Sequence, residues 1–106
     1  MKLIIAIVQD EDASRLISQL MNDGFGVTKL ATTGGFLQAG NTTFLVGTDD
    51  TRVDEVLSII EKHSKKRTQM VPTTNYGTAN YASFPVEVTV GGATVFVMSV
   101  DRYEKI

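Results

Sequence analysis

The chain has 106 residues, with ten Lys and Arg against twelve Asp and Glu, one His and no Cys. That length supports one core and one domain over residues 1–106, and the near-neutral charge supplies no electrostatic footprint for DNA or RNA. Without cysteine there are no disulfides, thiolate zinc sites, iron–sulfur clusters or cysteine nucleophiles, and one His leaves little for a metal site or a triad.

The opening run Met1–Val8 is apolar but stops at Gln9-Asp10-Glu11-Asp12. It is far short of the ~20 residues a membrane span needs, and no small-residue cleavage site follows. A buried strand over 3–8 is expected, in a cytoplasmic protein without membrane insertion. The acidic cluster then offers N-caps and complements a helix dipole, and Ala13, Leu16, Ile17, Leu20 and Met21 follow at the spacing of one helical stripe. Gly24 fits the position that ends this helix. A second strand is expected over Val27–Thr32.

Thr33–Asn41 holds three glycines and two large apolar side chains, and reads as a short loop between strands over 33–41. The β-branched run Thr42–Thr48 is a third strand. Asp49-Asp50-Thr51 repeats the capping logic, with Thr51-x-x-Asp54 a weak capping box. Val53, Val56, Leu57 and Ile60 mark a second helix, ending in the basic stretch Lys62–Arg67. Periodicity then disappears, and a long mobile loop is expected over about 68–85. Gly91-Gly92 between two β-rich runs signals a C-terminal hairpin. The order is that of a ferredoxin-like (βαββαβ) α+β fold with an extra C-terminal hairpin.

Two helices cover only one face of such a sheet. Ile4–Val8 and Val95–Met98 nevertheless place apolar groups on both faces, so a homo-oligomer is expected to bury the second.

Gly35-x-x-x-x-Gly40-Asn41-Thr42 falls one residue short of a Walker A loop: Asn41 replaces the Lys, and a strand follows where the motif requires a helix. Gly34 and Gly35 could still form an anion nest, and Phe36 and Leu37 could stack on a base. An ordinary turn with both side chains tucked into the core fits equally well. Asp10, Glu11, Asp12, Asp49 and Asp50 read as caps before metal ligands, and His63 reads as a surface residue. No catalytic constellation emerges, so no enzyme is expected.

Thr28–Leu37 and Gly40–Leu45, with Val53–Leu57, Pro85–Val88 and Gly91–Met98, resemble the signature of the PII-like cyclic-di-AMP receptor proteins. The resemblance implies a ferredoxin-like protomer assembled as a homotrimer, with cyclic di-AMP between subunits, no other cofactor, and an unidentified downstream protein as partner. Carried over by position, it places Thr28, Gly35, Phe36, Leu37, Asn41 and Gly47 around the nucleotide. Asn41 and Thr28 would engage the adenine edge, Phe36 and Leu37 would pack on the ligand, and Gly92 and Phe96 would complete the wall. Gly26 stands where some members carry a basic residue, and Lys105 where the family has a glutamine; Lys29 or Lys105 would restore a positive charge. The rival readings are an ATP-binding nitrogen-regulatory PII-type protein, which the short 33–41 loop disfavours, and a small nucleotide-processing enzyme.

Overall fold

The alternating burial of the first strand sets the architecture. In the computed structural model, which describes residues 1–30, 40–72 and 85–106, β1 (Lys2–Gln9) buries Ile4, Ala6 and Val8 and leaves Leu3, Ile5, Ile7 and Gln9 half-exposed on the other side. It is followed by α1 (Asp10–Asn22), β2 (Gly26–Lys29), β3 (Asn41–Thr48), α2 (Val53–Ser64), β4 (Arg67–Pro72), β5 (Pro85–Val90) and β6 (Ala93–Ser99). The main sheet has the order β2-β3-β1-β6, antiparallel throughout, so β1 is hydrogen-bonded on both sides. Two helices against this sheet are compatible with the expected ferredoxin-like fold.

Register sorts the side chains into two faces. Ile4, Ala6 and Val8 sit opposite Val46, Phe44 and Thr42 on β3. Their face packs against Leu16 and Leu20 of α1 and Val56 and Ile60 of α2 to form the core. Phe44, Ile4, Leu16 and Leu20 are fully buried, and each is worth about 1.5–3 kcal/mol of burial. Arg52, in a single turn of 3-10 helix over Asp50–Arg52, ties the helices together. Its guanidinium lies 4.0 Å from the centre of the Phe25 ring and donates to the Asp23 carbonyl just after α1.

Three expectations are corrected. The side-chain caps do not form: Gln9 and Arg52 occupy the N-cap positions of α1 and α2 without side-chain cap bonds, and Thr51 lies inside the 3-10 turn. The acidic residues do fall in the first helical turn, where they complement the dipole as expected. Asp10 accepts from the Thr42 hydroxyl, and Asp12 is buried against Arg67 at 2.8 Å. The second correction concerns the long loop. Residues 67–72 form β4, which pairs with β5 in a separate two-stranded ribbon; only the stretch 73–84 lies outside the described residues. Polar strands such as Arg67-Thr68-Gln69 carry no hydrophobic alternation, because among the described residues the ribbon has no core to face.

The third correction is the hairpin. β5 and β6 flank Gly91-Gly92 but belong to different sheets, β5 pairing with β4 and β6 with β1. The two glycines make a corner, at φ +87° and +92°. There the Gly91 amide donates to Gln9 Oε1 at 2.8 Å and the Gly92 amide to the Ser64 carbonyl. A Cβ on Gly91 would stand 2.5 Å from the Lys65 carbonyl oxygen. Gly91→Ala is therefore expected to cost about 2 kcal/mol or more. Gly26→Ala, where a Cβ meets nothing within 4 Å at an ordinary φ, is expected to change stability by less than about 0.5 kcal/mol. Urea unfolding of the two variants checks this, and equal losses would show the corner to be unstrained.

The ribbon's other tie is Arg67, which bonds Asp12 and stands 3.8 Å from Glu11. Its guanidinium is held above its ordinary pKa by the hydrogen bond to Asp12, against desolvation, with the charges of Asp12 and Glu11 adding to the rise. A raised pKa in the folded state means the contribution is complete below the guanidinium's ordinary range and is lost only as pH climbs through the raised value. Arg67→Met should lower the urea midpoint by the same amount at every pH between about 6 and 9. A difference that vanished by pH 9 would contradict the pairing.

Candidate functional site

The sheet face away from the helices carries most of the expected site. Leu3, Ile5, Ile7 and Gln9 of β1 point to it, opposite Gly47, Leu45, Thr43 and Asn41 of β3 and, for the first three, Met98, Phe96 and Thr94 of β6. On β2, Thr28 sits opposite Leu45 and Gly26 opposite Gly47. Thr28, Asn41, Gly47 and Phe96 therefore share one open surface. Lys29 does not: it pairs with Phe44 and belongs to the helix side of the edge strand. Gly92 lies at the corner before β6. Gly35, Phe36 and Leu37 lie outside the described residues.

Two cavities mark the ends of this face. The larger, about 490 Å³, has Gly26, Thr28, Leu45 and Gly47 in its lining, with Lys2 and Tyr103. Gly26 and Gly47 are direct cross-strand partners without side chains, and Met1 Cε reaches to 3.3 Å from where a Gly47 Cβ would stand, so the floor is backbone partly covered by a flexible methionine. Beside it stand the Thr28 hydroxyl and the exposed Tyr103 ring. A flat floor, an aromatic neighbour and a hydroxyl suit a planar heterocycle with a hydrogen-bonding edge. The smaller cavity, about 270 Å³, is lined by Gln9, Asn41, Lys66, Gly91, Gly92 and Thr94 among others. It lies at the base of the ribbon and is largely polar.

The expected residues thus split, with Thr28 and Gly47 at one end and Asn41 and Gly92 at the other. Asn41 and Gly47 are six residues apart on one strand, about 20 Å. Phe96, 52% exposed, stands opposite Ile5 midway along the face and lines neither cavity. The Thr43 hydroxyl on the same face is buried and has no hydrogen-bond partner among the described residues.

Sequence reasoning did not select Gln9, Lys66 or Tyr103. Gln9 closes an apolar strand and Lys66 belongs to a basic run, so neither carries a motif; their importance comes from the register and from the corner. His63 lines a third, polar cavity of about 280 Å³ on the helix side with Glu11, Asp12, Arg15, Arg67 and Gln69. The Asp12–Arg67 pair occupies this cavity with structural work, anchoring β4 to α1. Among the described residues no group of His, Cys, Asp or Glu is placed to hold a metal ion, and no helix is long and apolar enough to cross a membrane.

Comparison with known proteins fits this geometry. The chain is similar to a functionally unknown protein from Pediococcus pentosaceus ATCC 25745 whose crystal structure superposes with a TM-score of 0.78. The two are 50% identical over 99% of this chain and 96% of that one. The cyclic-di-AMP receptor family model matches residues 1–106, the whole length described by the sequence. The chain belongs to the cyclic-di-AMP receptor family.

Proposed function

We propose that the protein is a cytoplasmic, non-enzymatic receptor that binds cyclic di-AMP on the open sheet face, between subunits of a homotrimer, and signals to a partner protein. The observation that carries this reading is the gathering of Thr28, Asn41, Gly47 and Phe96 on one surface, with two cavities about 20 Å apart along a strand. The ligand is a ring with two bases and two phosphates, and needs separated contacts of different chemistry. The larger cavity suits a base, with Thr28 on its edge and the Gly26–Gly47 floor beneath it.

The same face supports an assembly of more than one chain. Phe96 and Met98 are 52% and 51% exposed, and Leu3, Ile5, Ile7 and Leu45 are half-exposed around them. Apolar surface arranged like this is stabilised by a neighbouring copy, which would also close the cavities from above. Gly35, Phe36 and Leu37, outside the described residues, are nucleotide contacts by the resemblance alone. Lys29, on the other side of the sheet, takes no part in the contact.

Binding can be passed on through the corner. Gln9 faces Asn41 across the β1–β3 ladder, and its carboxamide holds the Gly91 amide at the root of the ribbon. A ligand that prefers one orientation of the ribbon shifts its population by that difference in affinity. The partner protein would read the ribbon and the 73–84 connection.

A thermal-shift panel with cyclic di-AMP, cyclic di-GMP, ATP and AMP tests the assignment. Cyclic di-AMP at 100 times its dissociation constant should add about 2.7 kcal/mol of stability, the others far less. Asn41→Ala should remove most of that shift, while light scattering still gives three times the 11.5 kDa chain mass. An equal shift with ATP would point instead to the nitrogen-regulatory type, and a monomer would remove the interfacial site.

A further inference from the structure

We infer that Asp10 is the positioning residue for Asn41, binding the chain on both sides of it so that its carboxamide meets the ligand from a fixed place. The inference rests on the receptor reading, in which Asn41 engages the nucleotide, and deepens it by naming what sets that contact.

Asn41 is poorly secured by its own surroundings. It is the first residue of β3 and half-exposed, and its ladder partner Gln9 is the last residue of β1. Gly40 before it is exposed, and among the described residues a Cβ there would meet nothing within 4 Å. Side-chain packing therefore does not hold the chain as it enters the strand. Gly40 has a φ of +102°, and a glycine has more conformational freedom to lose than any other residue.

Asp10 supplies the missing restraint twice. It is the first residue of α1, so its N–H is among those a helix leaves without an internal partner. That N–H donates to the Gly40 carbonyl at 2.8 Å. The Asp10 carboxylate accepts from the Thr42 hydroxyl. The residues before and after Asn41 are thus tied to one residue, and neither bond uses Asn41 itself. Strand alternation does the rest. Thr42, opposite Val8, turns to the helix side and is buried, which leaves Asn41 on the open face and in the lining of the smaller cavity.

The position of Asn41 is therefore referred to the junction of β1 and α1, which the core fixes. A carboxamide held in this way loses less conformational freedom when a ligand arrives. Favouring the helix dipole does not account for the arrangement. Glu11 and Asp12 stand in the same first turn and share that effect, yet both face Arg67, and Asp10 alone of the three bonds to β3 among the described residues.

Calorimetric titration with cyclic di-AMP, paired with urea unfolding, tests the role. Thr42→Val keeps the shape but removes the hydroxyl, and should weaken binding about tenfold. Asp10→Ala should weaken it at least as much, and the double variant no more than Asp10→Ala alone, because both changes break one bond. Thr42→Ser keeps the hydroxyl and Asp10→Asn keeps an oxygen acceptor, so both should bind within about twofold of the native protein. Stability should run the other way at Thr42. Serine loses a buried methyl and strand propensity, so its urea midpoint should lie below that of Thr42→Val. Glu11→Gln, which removes a first-turn charge without touching β3, should bind as the native protein does. Native affinity in both Thr42→Val and Asp10→Ala would overturn the inference and leave the receptor reading standing. Affinities that simply follow the urea midpoints, or an equal loss in Glu11→Gln, would also overturn it. Failure of the native protein to bind cyclic di-AMP would remove the receptor reading, and the positioning role with it.

Discussion

Everything in this fold hangs on β1 being the shared central strand. It is hydrogen-bonded to β3 on one side and β6 on the other, and its residues alternate strictly between the two faces. Ile4, Ala6 and Val8 commit one face to the helices; Leu3, Ile5, Ile7 and Gln9 are then forced onto the other. A shift of one residue in its pairing would exchange the faces completely, placing Gln9 in the core and Ile4 outside. The buried core, eleven residues among those described, resists such a slip. The open face that carries the candidate site is thus positioned by the same energetics that fold the chain.

The elements were legible wherever burial imposes a period. The run at 3–8, the helical stripe from Ala13 and the β-branched stretch at 42–48 each face the core on one side, and each forms as the pattern requires. β4 was not legible because Arg67-Thr68-Gln69 is polar, and among the described residues it gains its order from pairing with β5, where Val86, Val88 and Val90 do alternate with Glu87 and Thr89. Gly91-Gly92 misled for a related reason. Two glycines between β-rich runs look the same whether the chain reverses within a sheet or turns from one sheet to another, and only the partners of Val90 and Ala93 distinguish the two.

The candidate site was legible in its motif residues and hidden in its neighbours. Thr28, Asn41 and Gly47 carry a family signature, and the strand register sets them on one face. Gln9 and Lys66, which line the smaller cavity, have no signature, since one is placed there by its cross-strand partner Asn41 and the other by the corner. Lys29 shows the reverse: its proximity to Thr28 in sequence suggested a role, yet adjacent residues on a strand face opposite sides of the sheet. The acidic residues at 10–12 were read as caps. The buried Asp12 instead pairs with an arginine fifty-five residues away, a contact that no local spacing could announce.

The ribbon brings a hazard of its own. A two-stranded ladder with Met70 and Val86 exposed and free edges on both strands is a template for unwanted pairing with other chains. At the far end of the described ladder, Pro72 faces Pro85 across the register. Neither has an amide hydrogen, so a foreign strand continuing the zipper past this point would meet two missing donors at one level. Among the described residues, the paired prolines thus oppose the extension of a foreign strand along the ladder.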